Sequence, residues 1–280
     1  MTDAERNCRA VQRMLALMDM LRDPQHGCPW DLKQDFRSIA PHTLEEVYEV
    51  IDAIEQGSPD QLKAELGDLL FQIVFYARLG KEQGAFDFAD IATAITDKLL
   101  RRHPHVFPDA SFDSFGKAPV TSAEAVSPKW EAIKSAERRA ASTEKVPSAM
   151  DDVPLALPAV LRAAKLQKRA AAKGFDWPDS EGVFAKLQEE IAELEQAMDR
   201  GQESAVAEEL GDLLFTAINL SRHLNVEPEQ ALRAANAKFE ERFRRVETLA
   251  ARDGHELQTL TPAELDEYWQ AVKLAQKSPA

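Results

Sequence analysis

The stretch ELGDLLF, Glu65 to Phe71, returns letter for letter from Glu209 to Phe215, 144 positions on (65 to 209). Each copy sets a glutamate and an aspartate three residues apart and then turns apolar. On a helix that spacing puts both carboxylates on one face. Working outward, LEEVYEVIDAIEQG (Leu44 to Gly57) aligns with QEEIAELEQAMDRG (Gln188 to Gly201) at the same offset without a gap. Further along, KLLRRH (Lys98 to His103) parallels KFEERF (Lys238 to Phe243), and WEAIK from Trp130 parallels WQAVK from Trp269. Trp30, in GCPWD, has a counterpart in Trp177, in GFDWP. Self-similarity over such a length predicts two homologous domains in tandem.

Periodicity predicts helices throughout. Val11, Met14, Leu15, Met18 and Leu21 recur at helical spacing and form one apolar stripe. TLEE, Thr43 to Glu46, has the form of a capping box and predicts a helix start there. TPAE, Thr261 to Glu264, predicts another start, with proline at the first helical position. Ser58-Pro59 is a further start, and Gly57 and Gly201 are stops. Strand-like alternation is absent, so the expected class is all-α, two tandem helical bundles. Expected boundaries are a first domain over 1–140, a polar, proline-bearing linker over 141–155, and a second domain over 156–280. Residues 108–122 have no counterpart of equal length in the second repeat and read as a mobile surface loop.

Composition narrows the function. The 280 residues carry a formal charge of -14, which argues against a broad nucleic-acid-binding surface. Cys8 and Cys28 are too few for a disulfide framework and lack metal-ligand spacing. No apolar run approaches the ~20 residues of a spanning helix. MTDAERNCRAVQRM carries charges where a signal peptide would have its apolar core. The reading is a soluble cytoplasmic protein with no membrane partner.

The acidic residues are then placed by geometry. Glu46 and Glu49 share one helix face, and Glu65 and Asp68 share a face of the next. If the chain reverses near Ser58, positions equally far from the turn lie level, so Glu49 faces the interval between Glu65 and Asp68. The second repeat behaves alike around Gln202, bringing Glu190 and Glu193 to Glu209 and Asp212. Glu45 and Glu189 lie beside these sets. A lone acidic pair is usually a solvated face. Two sets held in register while neighbours drift, as Val47-Tyr48 and Ile191-Ala192 do, read as a site. Like charges gathered beside a core repel by roughly 4 kcal/mol per close pair at intermediate dielectric. They must protonate, splay into water or bind cations. An all-oxygen donor set suits Mg²⁺, with Mn²⁺ as a substitute. No histidine lies three residues after a glutamate, which argues against a di-iron carboxylate centre. Gly67 and Gly211 sit between the two acids, where a mid-helix glycine costs about 1 kcal/mol against alanine. Close helix approach and room for a ligand both account for them. Lys98 and Arg102, and in register Lys238 and Arg242, are basic pairs on one helix face. Beside an acidic hairpin they point to phosphate oxygens bridging metal and cation. Lys186, one turn before Glu190, adds a further charge. Trp130 and Trp269 are either core residues or platforms for a base.

The pattern Glu-Glu-x-x-Glu, followed by Glu-x-x-Asp, resembles the MazG family of all-α nucleoside triphosphate pyrophosphohydrolases. It stands here as Glu45, Glu46, Glu49, Glu65 and Asp68, and again as Glu189, Glu190, Glu193, Glu209 and Asp212. CPWDLKQDFRSIAPHTLEEVYEVIDAI, RRHPHVFPDA, DDVPLALPA and KFEERFRRVE extend the resemblance over nearly the whole chain. The resemblance implies Mg²⁺-dependent cleavage of a nucleoside triphosphate between the α- and β-phosphates, by a homodimer, to clear surplus or aberrant nucleotides. It implies that Glu190, Glu193, Glu209 and Asp212 hold the metal. Lys186, Glu208, Lys238, Arg242 and Trp269 would contact the substrate, with Glu189, Glu190 and Glu193 catalytic. Ala205 departs from the family pattern, which has a lysine there, so one phosphate contact is missing. His42 occupies the first repeat's equivalent of Lys186, which weakens that repeat as a catalyst. The rival reading is a nucleotide-sensing or scaffolding module that binds Mg-nucleotide without turnover.

Overall fold

The computed structural model describes residues 1–118, 122, 126, 130, 132–137 and 148–277. The chain divides into two compact units, Met1–Glu137 and Arg138–Ala280. The first contains α1 (Asp3–Leu21), α2 (Phe36–Gln56), α3 (Pro59–Glu82) and α4 (Phe88–Arg102), with helical backbone again at 132–137. The second contains α5 (Ala159–Ala171), α6 (Ser180–Asp199), α7 (Glu203–His223), α8 (Pro228–Arg252) and α9 (Pro262–Lys277). Among the described residues there is no strand, and no helix is long and apolar enough to cross a membrane. The fold is all-α and built twice. Of the expected linker, residues 141–147 lie outside the described residues, as do residues 119–121 of the expected loop. The rest of that loop turns through a short 3-10 helix at Phe112–Ser114 with Ser114 fully buried.

Each unit is organised by a helical hairpin. Ser58 caps α3 by accepting from the Gln61 amide, Pro59 opens the helix, and Gly57 ends α2 in the left-handed region at φ 70°. In the second unit Gly201 makes the same left-handed exit, at φ 64°. Thr261 and Glu264 cap α9 reciprocally, as TPAE predicts.

One predicted start is overturned. TLEE does not open a helix: α2 begins at Phe36, capped by Asp35 and Ser38, and Thr43 lies inside it. The Thr43 hydroxyl bonds the Ile39 carbonyl at 3.3 Å and the Tyr76 hydroxyl at 2.8 Å. Pro41 sits within this extension, where a missing amide usually costs ~3 kcal/mol. Burial offsets that cost. Ile39 packs with Met18, Val74, Phe75 and Leu79, and Phe36 stacks on Tyr76. The earlier start also leaves Glu46 without a capping duty, so its side chain is available to the hairpin.

In both units the hairpin's second helix grips the turn that precedes the first. Arg22, at the end of α1, donates to Glu82 of α3 through Nε at 2.9 Å and a terminal nitrogen at 2.7 Å. The same guanidinium reaches the carbonyls of Asp31 and Gln34, holding the Trp30 turn. In the second unit Asp176, next to Trp177, receives Arg222 and His223 of α7. These charged ties hold each hairpin in register against its flanking chain.

Candidate active site

The hairpins bring three glutamates together in each unit. In the first, Glu46 and Glu49 of α2 meet Glu65 of α3; in the second, Glu190 and Glu193 of α6 meet Glu209 of α7. Within each triad one carboxylate oxygen from every residue lies within 4.8 Å of the others. The aspartates one turn further along α3 and α7 act on these triads by charge: Asp68 bears on Glu46, and Asp212 on Glu209. Burial, then the charges of Asp68 and Glu49, push the Glu46 carboxyl above its usual value, while the Gln72 side chain pulls it back. Glu209 is likewise raised, by removal from water first and then by Glu193, Glu190, Asp212 and Glu208. The triads resist full ionisation unless positive charge joins them.

The donor set fits a hard divalent cation. It consists of oxygens alone, converging from two helices at a spacing one ion can bridge. A Cβ added at Gly67 or Gly211 would meet no atom within 4 Å. Neither glycine therefore serves close approach of helices within the unit. Both leave open space beside the acids.

Lys186 supplies positive charge to the second triad. Its ammonium lies 2.8 Å from Glu189 and 3.0 Å from Glu190, and those contacts hold its pKa above the ordinary lysine range. Glu190 is 4 % exposed, a buried carboxylate neutralised at one edge by a half-exposed lysine. In the first unit His42 stands instead, 3.7 Å from Glu45 and edge-on to Trp30. Glu45 and Glu208 are exposed at the margins of their triads.

The arginines of the two basic pairs are each tied to a neighbouring helix. Arg242 on α8 turns to α9, donating from Nε to Gln276 at 2.8 Å with its guanidinium 5.9 Å from the centre of the Trp269 ring. Trp269 is half-buried against Phe239, which leaves part of the ring exposed. Arg102 donates to Glu137 at 2.9 and 2.6 Å, and the Trp130 indole donates to the Arg102 carbonyl. Lys98 and Lys238 are exposed. Sequence reasoning missed Gln72, Glu137 and Gln276. The last two were accessible from the repeat, since each lies seven residues beyond its tryptophan (130 to 137, 269 to 276).

Duplicated hairpins with carboxylate triads define a class of all-α proteins whose acids could hold a divalent cation. The model of the MazG nucleotide pyrophosphohydrolase domain matches residues 34–107 and 179–246, one match on each hairpin. The chain belongs to this family and is a hydrolase of its kind. It is 49% identical over 265 residues to the nucleoside triphosphate pyrophosphohydrolase of Escherichia coli (strain K12), covering 94% of this chain and 97% of that protein. It is 42% identical to the nucleoside triphosphate pyrophosphohydrolase/pyrophosphatase MazG of Thermotoga maritima, over 94% and 95% of the two chains. A Bacillus subtilis protein, the uncharacterized YabN, is 38% identical over 90% of this chain but only 49% of its own length.

Proposed function

We propose that this nucleotide pyrophosphohydrolase cleaves nucleoside and deoxynucleoside triphosphates between the α- and β-phosphates, releasing a monophosphate and pyrophosphate. The observation that carries the reading is the Glu190, Glu193 and Glu209 triad, with open space at Gly211 and Lys186 at its edge. Glu190, Glu193, Glu209 and Asp212 would hold Mg²⁺, with Mn²⁺ as a substitute. When bound, the ion supplies neutralising charge for the polyphosphate and acidity for the attacking water.

The chain's own groups do the rest. Lys186 leaves Glu189 and Glu190 for the triphosphate, trading two carboxylates for phosphate oxygens. Glu189, exposed and released, accepts the water's proton. Lys238 and Arg242 hold the phosphates at the far side, and Trp269 offers its face to the nucleoside. Glu208 orients the nearer end of the substrate. Glu45, Glu46, Glu49, Glu65, Asp68, Lys98 and Arg102 form the first repeat's version. There His42 replaces Lys186, so the second repeat carries most of the turnover.

The protein works in the cytoplasm as a homodimer or larger homo-oligomer, clearing surplus or aberrant nucleotides. Pairing is favoured by apolar side chains left exposed on the hairpins, including Leu66 and Leu70 in the first unit and Leu210 and Leu214 in the second. Leu214, five residues after Glu209, is 59% exposed.

Incubating the purified chain with assorted triphosphates and Mg²⁺ tests the reading. Pyrophosphate and monophosphate are the expected products, and loss of both with a chelator is expected. Orthophosphate as the primary product, or no turnover at all, would overturn it.

A further inference from the structure

Each unit anchors its α4 or α8 arginine on the helix that carries its tryptophan, but the anchors differ in charge. Arg102 is held by the carboxylate of Glu137, and Arg242 by the amide of Gln276. The two anchors occupy the same place in the repeat, seven residues after Trp130 and Trp269 (130 to 137, 269 to 276). Arg102 pulls the Glu137 carboxyl below its usual range, and Arg101 and Lys98 add to that pull. Glu137 is therefore ionised at neutral pH and answers the whole basic face of α4. On α8 no carboxylate plays that part for Arg242 among the described residues. The neighbouring Glu240 and Glu241 are engaged by Arg244 and Arg245. Gln276 holds the Arg242 guanidinium in place and leaves its charge unspent.

From this pairing we infer that the residue seven places after the tryptophan decides whether a repeat can recruit its arginine to an anionic ligand. Gln276 is a positioning residue that presents a charged Arg242 to the triphosphate. Glu137 holds Arg102 in an internal ion pair and thereby silences the first repeat. An arriving polyphosphate must compete with a carboxylate at Arg102 but only with a neutral amide at Arg242. Both bonds have a charged donor, but the Glu137 carboxylate adds the attraction of a full negative charge that the Gln276 amide lacks, so that competition is costlier at Arg102.

The inference rests on Arg242 contacting the triphosphate, and the experiment separates the two. In the full-length protein, Gln276→Glu is expected to raise KM for a nucleoside triphosphate about tenfold, with kcat within about twofold and thermal melting unchanged. Gln276→Met, which removes the acceptor without adding charge, is expected to raise KM less. Arg242→Ala raises KM at least as much as Gln276→Glu. If Arg242→Ala leaves KM alone, the substrate contact itself is wrong. If it raises KM while Gln276→Glu does not, or if Gln276→Met costs more than Gln276→Glu, only the inference about position 276 fails.

The reciprocal change guards against a misfolded variant. With ligand binding at the second site removed by Glu193→Gln, Lys186→Gln and Arg242→Ala together, Glu137→Gln is expected to tighten binding of a non-hydrolysable Mg-triphosphate analogue about tenfold by calorimetry. Unchanged affinity overturns the inference.

Discussion

The ammonium of Lys186 lies 3.0 Å from the carboxylate of Glu190, the one fully buried acid of the second triad. A buried carboxylate is tolerable only with a partner, and here that partner is a side chain with enough reach to leave. On the function proposed above the pair is a stand-in: the lysine would occupy the acids until a cation takes over the acids and a phosphate takes the lysine.

Replacing Lys186 with Gln is expected to raise KM for the triphosphate by about 10- to 100-fold, the range for a lost charged contact. The same change leaves Glu190 buried without its cation. Thermal melting in chelator should therefore fall, and added Mg²⁺ should restore it more fully than in the unaltered protein.

Glu193→Gln is expected to abolish most pyrophosphate release, and Glu49→Gln to leave most of it. Steady-state turnover of the two variants checks this. Equal losses would mean that both triads work and that His42 is an adequate substitute for Lys186.

Gly211→Ala puts a methyl where nothing lies within 4 Å. By helix propensity it should stabilise the chain by about 1 kcal/mol. Turnover is nevertheless expected to drop, because the proposed site places the ligand in that open space. Melting temperature and kcat measured side by side show whether the two move in opposite directions.

The raised carboxyl of Glu209 sets a pH dependence whose sign is opposite to that of an ordinary ion-paired acid. Its folded-state pKa lies above the unfolded value of 4.5, so its contribution to stability is complete below that value and lost as pH rises through the raised one. In chelator, Glu209→Gln should melt higher than the unaltered protein at neutral pH. The gap should close as pH falls below about 4.5, where both side chains are neutral. Melting curves across that range decide it.

Much of the hairpin was legible because two rules act on every residue of it. Helical period puts Glu46 and Glu49 on one face, and a turn at Ser58 then dictates which residues of α3 lie level with them. Neither rule needs tertiary information. The start of α2 was not legible, because Thr43 and Glu46 form a sound local cap that loses to the burial of Ile39 and Phe36, residues whose partners lie on other helices. The basic pairs were found by their repeat spacing. Their orientation depends on Glu137 and Gln276, 35 and 34 residues away, and helical phase says nothing about a contact of that range. Lys186 was recognised as a cation near the site, yet its dual grip on Glu189 and Glu190 emerges only with side-chain geometry.

Because both acidic nests ride on a single polypeptide, they are present in equal number in every preparation. On the proposed reading, in which each nest takes a divalent cation, a titration with Mg²⁺ or Mn²⁺ would have an internal ruler: whichever nest is left intact counts the molecules while the altered one is assayed. Duplication would then place a reference site beside each altered one, and comparative calorimetry on single-nest variants could use it.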